Sequence, residues 1–148
     1  MSWSHEPEGY ECPFCAIAAG DLPGRVVHRD DDVMVIVNIK WWPNNRGGCM
    51  VIPVAHHENI YDLPPELGAP IQRAARNTAV ALKAALGCDG VSTRQHNEPA
   101  GNQDVWHYHL HVFPRYPGDR LYKERGEVVP MEDVDRVAAL LREHYRHD

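Results

Sequence analysis

The segment Trp106 to Phe113, WHYHLHVF, constrains the chain most. In it His107, His109 and His111 alternate with Tyr108, Leu110 and Val112. On an extended strand, residues two apart share one face and lie about 7 Å from each other. The alternation therefore predicts a strand over 105–113 with three imidazoles on one side and an apolar set on the other. An apolar strand face needs a cover, and the rest of the chain offers helices to provide it. Between Pro64, Pro65 and Gly87, residues Leu67, Ile71, Ala74, Ala75, Thr78, Leu82 and Leu86 recur near helical spacing, with Pro70 in the first turn. A closing amphipathic helix is predicted over 131–146 through Val134, Val137, Leu140 and Leu141. Pro13 opens and Gly20 closes a short N-terminal helix after a polar arm at 1–11. Arg25 to His28 and Val33 to Asn38 read as a hairpin around Asp30, Asp31 and Asp32. Lys40 to Gly48 reads as a loop before a strand at Cys49 to Ile52, and a further strand is predicted at 91–96, joined to the histidine strand by the polar turn Asn97 to Gln103. Strands, one long helix, more strands and a last helix make an α+β sheet with helices on it, and 148 residues fit one domain over 1–148.

Composition narrows the function classes. With 15 basic and 21 acidic side chains the formal charge is −6, which disfavours a long nucleic acid as partner while leaving a small anionic ligand open. No apolar run approaches the ~18 residues of a bilayer-spanning helix. The first ten residues have no basic end or apolar run, so the expected location is the cytosol. Cysteines at 12, 15, 49 and 88 are then expected as thiols or metal ligands rather than disulfides.

Imidazole suits attack on phosphorus, because near neutral pH one ring nitrogen keeps a lone pair while the other donates a hydrogen bond that fixes the tautomer. Asn97, Gly101, Asn102 and Gln103 supply amide donors and flexible backbone able to wrap an anionic oxygen. Cys12 and Cys15 bring two sulfurs to one side of a helix start, and a structural zinc needs two more N or S ligands. Two metal-free buried thiols are the alternative. CPFC also resembles the glutaredoxin tetrapeptide, but that motif follows a buried strand and only eleven polar residues precede it here. The three histidines could instead form a zinc hydrolase site by themselves.

QDVWHYHLHVFPRY resembles the signature of the histidine triad (HIT) family, and the resemblance extends to CPFCAIAAGDLPGRVVHRDDDVMVIVNI and VIPVAHH, in the same order over residues 11 to 116. It implies a HIT fold with an antiparallel sheet, usually in a homodimer. The implied activity is hydrolysis or transfer of nucleoside monophosphates from phosphoramidates, dinucleoside polyphosphates or related conjugates. By position, His109 would be the nucleophile and His111 would help hold the phosphate. Asn97 and Gln103 would donate to phosphate oxygens, Asn38 would bind the ribose and Ile39 would face the base. A structural zinc would be held by Cys12, Cys15, His56 and His107, with no organic cofactor. Two departures stand out. Gly48 occupies a place where the family usually has a histidine, so restoring that imidazole is expected to recover one hydrogen bond unless Gly48 needs a positive φ. Asp104 replaces the usual Ser or Thr and is expected to stay protonated beside phosphate, or to give its proton to the leaving group.

Overall fold

The computed structural model describes residues 3–148. Five strands form an antiparallel sheet: β1 (Val26–Arg29), β2 (Val33–Val37), β4 (Cys49–Pro53), β5 (Gly90–Gln95) and β6 (Leu110–Arg115), in the order β1-β2-β4-β6-β5. The helices are α1 (Pro13–Ala19), α2 (Gly68–Leu86) and α3 (Met131–His144). A two-stranded ribbon, β3 (Lys40–Trp41) with β7 (Glu127–Val128), lies outside the sheet. It falls in a segment the sequence marks as loop, because two paired residues leave no periodicity to detect.

Local chemistry sets the boundaries. The Cys12 thiol accepts from the Cys15 N–H at 3.3 Å as the cap of α1, Pro13 takes its first position, and Gly20 ends it in the left-handed region at φ 83°. The Asp30 carboxylate accepts from the N–H groups of Asp32 and Val33 at 2.8 and 2.9 Å, which closes the β1–β2 hairpin. A 3₁₀ turn over Pro65–Leu67 leads into α2.

The sheet is covered on both faces. Helix α2 crosses β2, β4 and β6, and α3 crosses β1 and β2. Val33, Val35, Val37, Val51 and Val112 pack with Ile71, Leu82, Val134 and Leu141 in that layer. On the other face Met34, Ile36, Met50 and Ile52 pack with Phe14 of α1. Central strands β2 and β4 are therefore buried at every residue, as strands covered on both sides must be.

The histidine strand is shorter than its alternation predicts. Strand β6 starts at Leu110, so only His111 of the three lies in the ladder, while His107 and His109 occupy the approach to it. The cause is the end of β4 at Pro53, which has no N–H to continue the pairing. The preceding backbone finds other partners: Tyr108 N–H donates to the His57 carbonyl at 2.7 Å and Trp106 N–H to the Tyr10 hydroxyl at 3.2 Å. Sidedness survives the loss of the ladder, because Tyr108 and Val112 belong to the helical layer while the imidazoles face α1.

Candidate functional site

Two sites lie on the α1 face, and one backbone carbonyl separates them. His107 Nε2 lies 2.8 Å from the Pro53 carbonyl, which can only accept, so Nε2 carries the proton and Nδ1 keeps its lone pair. His109 Nδ1 lies 2.8 Å from the carbonyl of His107, so here Nδ1 carries the proton and Nε2 is left free. Neighbouring members of the triad thus present opposite nitrogens. Among the described residues the three histidines form no metal-type cluster of their own, and His107 groups instead with Cys12, Cys15 and His56.

His107 Nδ1 faces Cys12 Sγ at 3.3 Å, Cys15 Sγ at 3.5 Å and His56 Nδ1 at 3.1 Å. His56 Nε2 lies 2.5 Å from a Glu6 carboxylate oxygen, so its Nδ1 lone pair also points inward. Two lone pairs facing each other at 3.1 Å repel unless a cation sits between them. All four ligand atoms lie within 4.8 Å of one another. Tetrahedral bonds of about 2.0–2.3 Å to nitrogen and sulfur require donors roughly 3.3–3.8 Å apart. The cluster fits a zinc-type ion, with Glu6 and the Pro53 carbonyl orienting the two imidazoles. Burial and the neighbouring Cys12 push the Cys15 thiol up to about 11, and a bound cation would favour its thiolate. Among the described residues no strand precedes α1, so the structural setting of a glutaredoxin motif is missing.

On the other side of that carbonyl, a cavity of about 810 Å³ opens over the sheet. His109 and His111 line it side by side, with ring centroids 5.0 Å apart. Asn38, Ile39 and Asp104 line it as well. Burial, with His109 and His96 nearby, depresses the basicity of His111 to about 3, so its ring is neutral at physiological pH. Its Nδ1 has no hydrogen-bond partner among the described residues.

Several expectations need correction. Asn97 and Gln103 do not reach the cavity. The Asn97 side-chain oxygen Oδ1 accepts from Ile60 N–H at 2.9 Å and from the Gln95 side-chain amide at 2.8 Å. The Gln103 amide donates to the Glu58 carbonyl at 2.6 Å, and its oxygen accepts from Glu98 N–H at 2.9 Å. Both hold the turn, as buried amides must when the backbone around them lacks other partners. Of the amides in this turn, Asn102, at φ 71°, lines the cavity. Asp104 stands at the cavity, its side chain 81 % exposed and its carboxyl 3.7 Å from His109 Nε2, and the expectation for it concerns the state with phosphate bound. Gly48 has no positive φ; a Cβ there would lie 3.2 Å from the Phe113 ring. That ring stacks on His111 at 5.2 Å, so the space beside His111 is already filled.

Of the paired tryptophans, Trp41 is buried with its indole N–H on the Asn38 carbonyl at 2.6 Å, whereas Trp42 lines the cavity. Arg115 is bound to Asp119 at 2.7 and 2.9 Å and has no part in the site. Arg94 and His96, which no motif singles out, also line the cavity. Their signal was available: Arg94 of β5 stands opposite His111, and His96 follows two residues on, just past the end of the strand. Tyr122 had no such signal, because an irregular loop delivers it.

The HIT domain family matches residues 19–118. This chain belongs to the HIT family. An uncharacterised HIT-like protein of Methanocaldococcus jannaschii is 34% identical over 126 residues, covering 85% of this chain and 91% of that protein. The crystal structure of a zinc-bound histidine triad family protein from Mycobacterium smegmatis superposes with a TM-score of 0.78 at 35% identity, covering 90% of this chain and 92% of that one. An adenylylsulfatase of Arabidopsis thaliana is 28% identical over 112 residues, 76% of this chain and 56% of that enzyme. The observed HIT fold agrees with the expected α+β architecture: an antiparallel sheet, one long helix and a shorter helix near each end. No helix among the described residues is long and apolar enough to cross a membrane.

The neutral, buried His111 generates an acid sensitivity. Its folded pKa lies below the unfolded value, so as pH falls below about 6.5 the unfolded chain takes up a proton that the folded chain refuses, and stability drops. Urea unfolding from pH 7 to 4 should show His111→Asn losing on the order of 3 kcal/mol less than the parent protein. Parallel curves for the two proteins would contradict this account of His111.

Proposed function

We propose that this HIT protein hydrolyses or transfers nucleoside monophosphates from phosphoramidates, dinucleoside polyphosphates or related nucleotidyl conjugates through a covalent intermediate on His109. The observation that carries the reading is the hydrogen bond from His109 Nδ1 to the His107 carbonyl, which leaves the Nε2 lone pair for the cavity. In the first step Nε2 bonds to phosphorus while the bond to the leaving group breaks, the electron pair staying on the departing atom, which takes up a proton from water where that atom is an amine nitrogen. In the second, water adds its oxygen to phosphorus, the P–N bond breaks, and the electron pair returns to Nε2. Neutral His111 would hold a phosphate oxygen through an N–H. Phe14, Ile17, Ile36 and Ile39 offer an apolar bed for the base, and Asn38 a polar group for the ribose. The adenylylsulfatase among the relatives supports a nucleotidyl substrate.

We assign a structural zinc to Cys12, Cys15, His56 and His107, which would tie α1 to the loop after β4 and to the approach to β6. No step of the reaction passes through it. The chain is further assigned to a cytosolic homodimer; edge strand β5, which among the described residues pairs with β6 alone, supports association by leaving backbone groups for a second copy.

Asp104 supports a second reading, a nucleotide-binding module with little turnover. Its carboxylate lies 3.7 Å from His109 Nε2, where an ionised oxygen opposes an incoming phosphate. At an exposed position this repulsion is worth about 0.2–1 kcal/mol, so Asp104→Ser should raise kcat/KM up to ~5-fold. A turnover that stays below detection in both proteins with every phosphoramidate and polyphosphate tried would favour the binding module.

The nucleophile is tested by His109→Asn, which should abolish turnover and keep nucleotide binding within a few-fold, since the loss falls on a covalent step. Rapid quench and intact mass spectrometry should find a nucleotidyl adduct in the unaltered protein alone; undiminished turnover by the variant would end the assignment. For the metal, protein purified without added zinc should contain one zinc per chain. Cys15→Ala should remove it and lower Tm while leaving the Cys12 cap of α1 in place. A metal-free protein of unchanged Tm would return the pair to ordinary thiols.

A further inference from the structure

The cavity has two chemically different arms, and strand register decides which lies where. Met50 of β4 and Arg94 of β5 both stand opposite His111 of β6, and Met50 stands opposite Ile36 of β2. The row across this sheet face therefore runs Ile36, Met50, His111, Arg94, with apolar groups on one side of the imidazole and a cation on the other. A nucleoside seated on the apolar arm with its phosphorus at His109 leaves the β5 arm to whatever else the substrate carries.

Three cations line the cavity, in different states. Arg25 is neutralised by Asp135 at 2.7 Å. Lys40 is exposed and leans on Trp42, 5.8 Å from the ring centre. Arg94 is half-buried, and among the described residues no carboxylate pairs with it; its guanidinium lies 4.3 Å over the Tyr122 ring. His96 Nε2 is 3.4 Å from the Tyr122 hydroxyl, and its ring is 5.8 Å from that of His111. Tyr122 is held at φ 64°, a left-handed conformation that costs a side-chain-bearing residue ~1 kcal/mol or more. Packing of the tyrosine against Trp42 at 4.8 Å and Phe113 at 5.5 Å sustains it. The arm is thus a built wall: an aromatic platform that fixes the height of an unpaired arginine beside the reacting imidazoles.

We propose that Arg94, supported by Tyr122 and His96, forms a subsite for an oxyanion leaving group, a phosphate or sulfate, released as the nucleotidyl group moves to His109. The inference rests on the nucleotidyl-transfer reading and names the substrate class within it. As Nε2 bonds to phosphorus, the bond from phosphorus to the bridging oxygen breaks, and the electron pair stays on that oxygen. The negative charge that develops there is paired by the guanidinium, so the departing group needs no proton at that moment. Water then releases the nucleotide, its protons pass to solvent, and His109 is restored. A neutral amine leaving group would gain nothing from Arg94.

The test compares substrates that share adenylate and differ in what leaves: adenylyl sulfate, diadenosine tetraphosphate, and an adenosine phosphoramidate with an uncharged amine. Arg94→Gln should lower kcat/KM for the two oxyanion substrates, relative to the phosphoramidate, by 10- to 100-fold, and Arg94→Lys should restore part of it. A fall confined to the sulfate or to the polyphosphate identifies which oxyanion the subsite takes. Equal losses on all three substrates, or ratios unchanged within twofold, would overturn the subsite. Binding supplies a readout independent of turnover. In His109→Asn protein, ADP should bind at least tenfold tighter than AMP, and adding Arg94→Gln should erase that preference. ADP binding no tighter than AMP would also overturn the subsite, even with the nucleotidyl reading intact. Failure of AMP itself to bind, or full turnover by His109→Asn, would instead sink the underlying function.

Discussion

Two hydrogen bonds from imidazole to backbone carbonyl organise this protein. One ties His107 Nε2 to Pro53 and the other ties His109 Nδ1 to His107. Because a carbonyl can only accept, each bond decides which ring nitrogen is protonated and so which one carries a lone pair. The first turns Nδ1 of His107 toward two cysteines and His56; the second turns Nε2 of His109 toward the cavity. A metal-type cluster and a nucleophile-type imidazole thus stand two residues apart without competing for the same atom.

The fold keeps these bonds in a setting where they matter. Both faces of the sheet are covered, His107 is fully buried, and His109 is 3% exposed. Burial holds the His107 ring neutral, lowering its pKa to about 4, and pushes that of His111 lower still. A neutral His107 keeps the lone pair that ligation requires. The same burial makes the site sensitive to acid, since protonation is postponed only at the expense of folded-state stability. Function and stability are linked here through a single quantity, the cost of charging a buried imidazole.

Much of this was legible in the chain. The alternation from Trp106 to Phe113 announced a sided segment, the CPFC spacing announced two sulfurs at a helix start, and the spacing from Leu67 to Leu86 announced the long helix that covers the other face. Misreadings occurred where a residue's identity was taken as its job. Asn97 and Gln103 looked like free donors, yet the tight turn around them had its own backbone groups to satisfy. Gly48 looked like a missing imidazole, yet Phe113 from the neighbouring strand already stacks on His111 there.

The sequence by itself determined the sidedness of the histidine segment, the helices, the family and the two sulfurs at one helix start. These follow from periodicity, from helix stop signals and from motifs whose residues lie close along the chain, where covalent geometry fixes the direction of each side chain. Only the tertiary structure decided which nitrogen each histidine offers, where the strand begins, and which cation stands free in the cavity. Those outcomes depend on partners distant in sequence. Pro53 lies 54 residues before His107, and Tyr122 lies on a loop that no periodicity marks. A hydrogen bond or a stacked ring is specified by the meeting of two groups, and that meeting exists only once packing has brought them together.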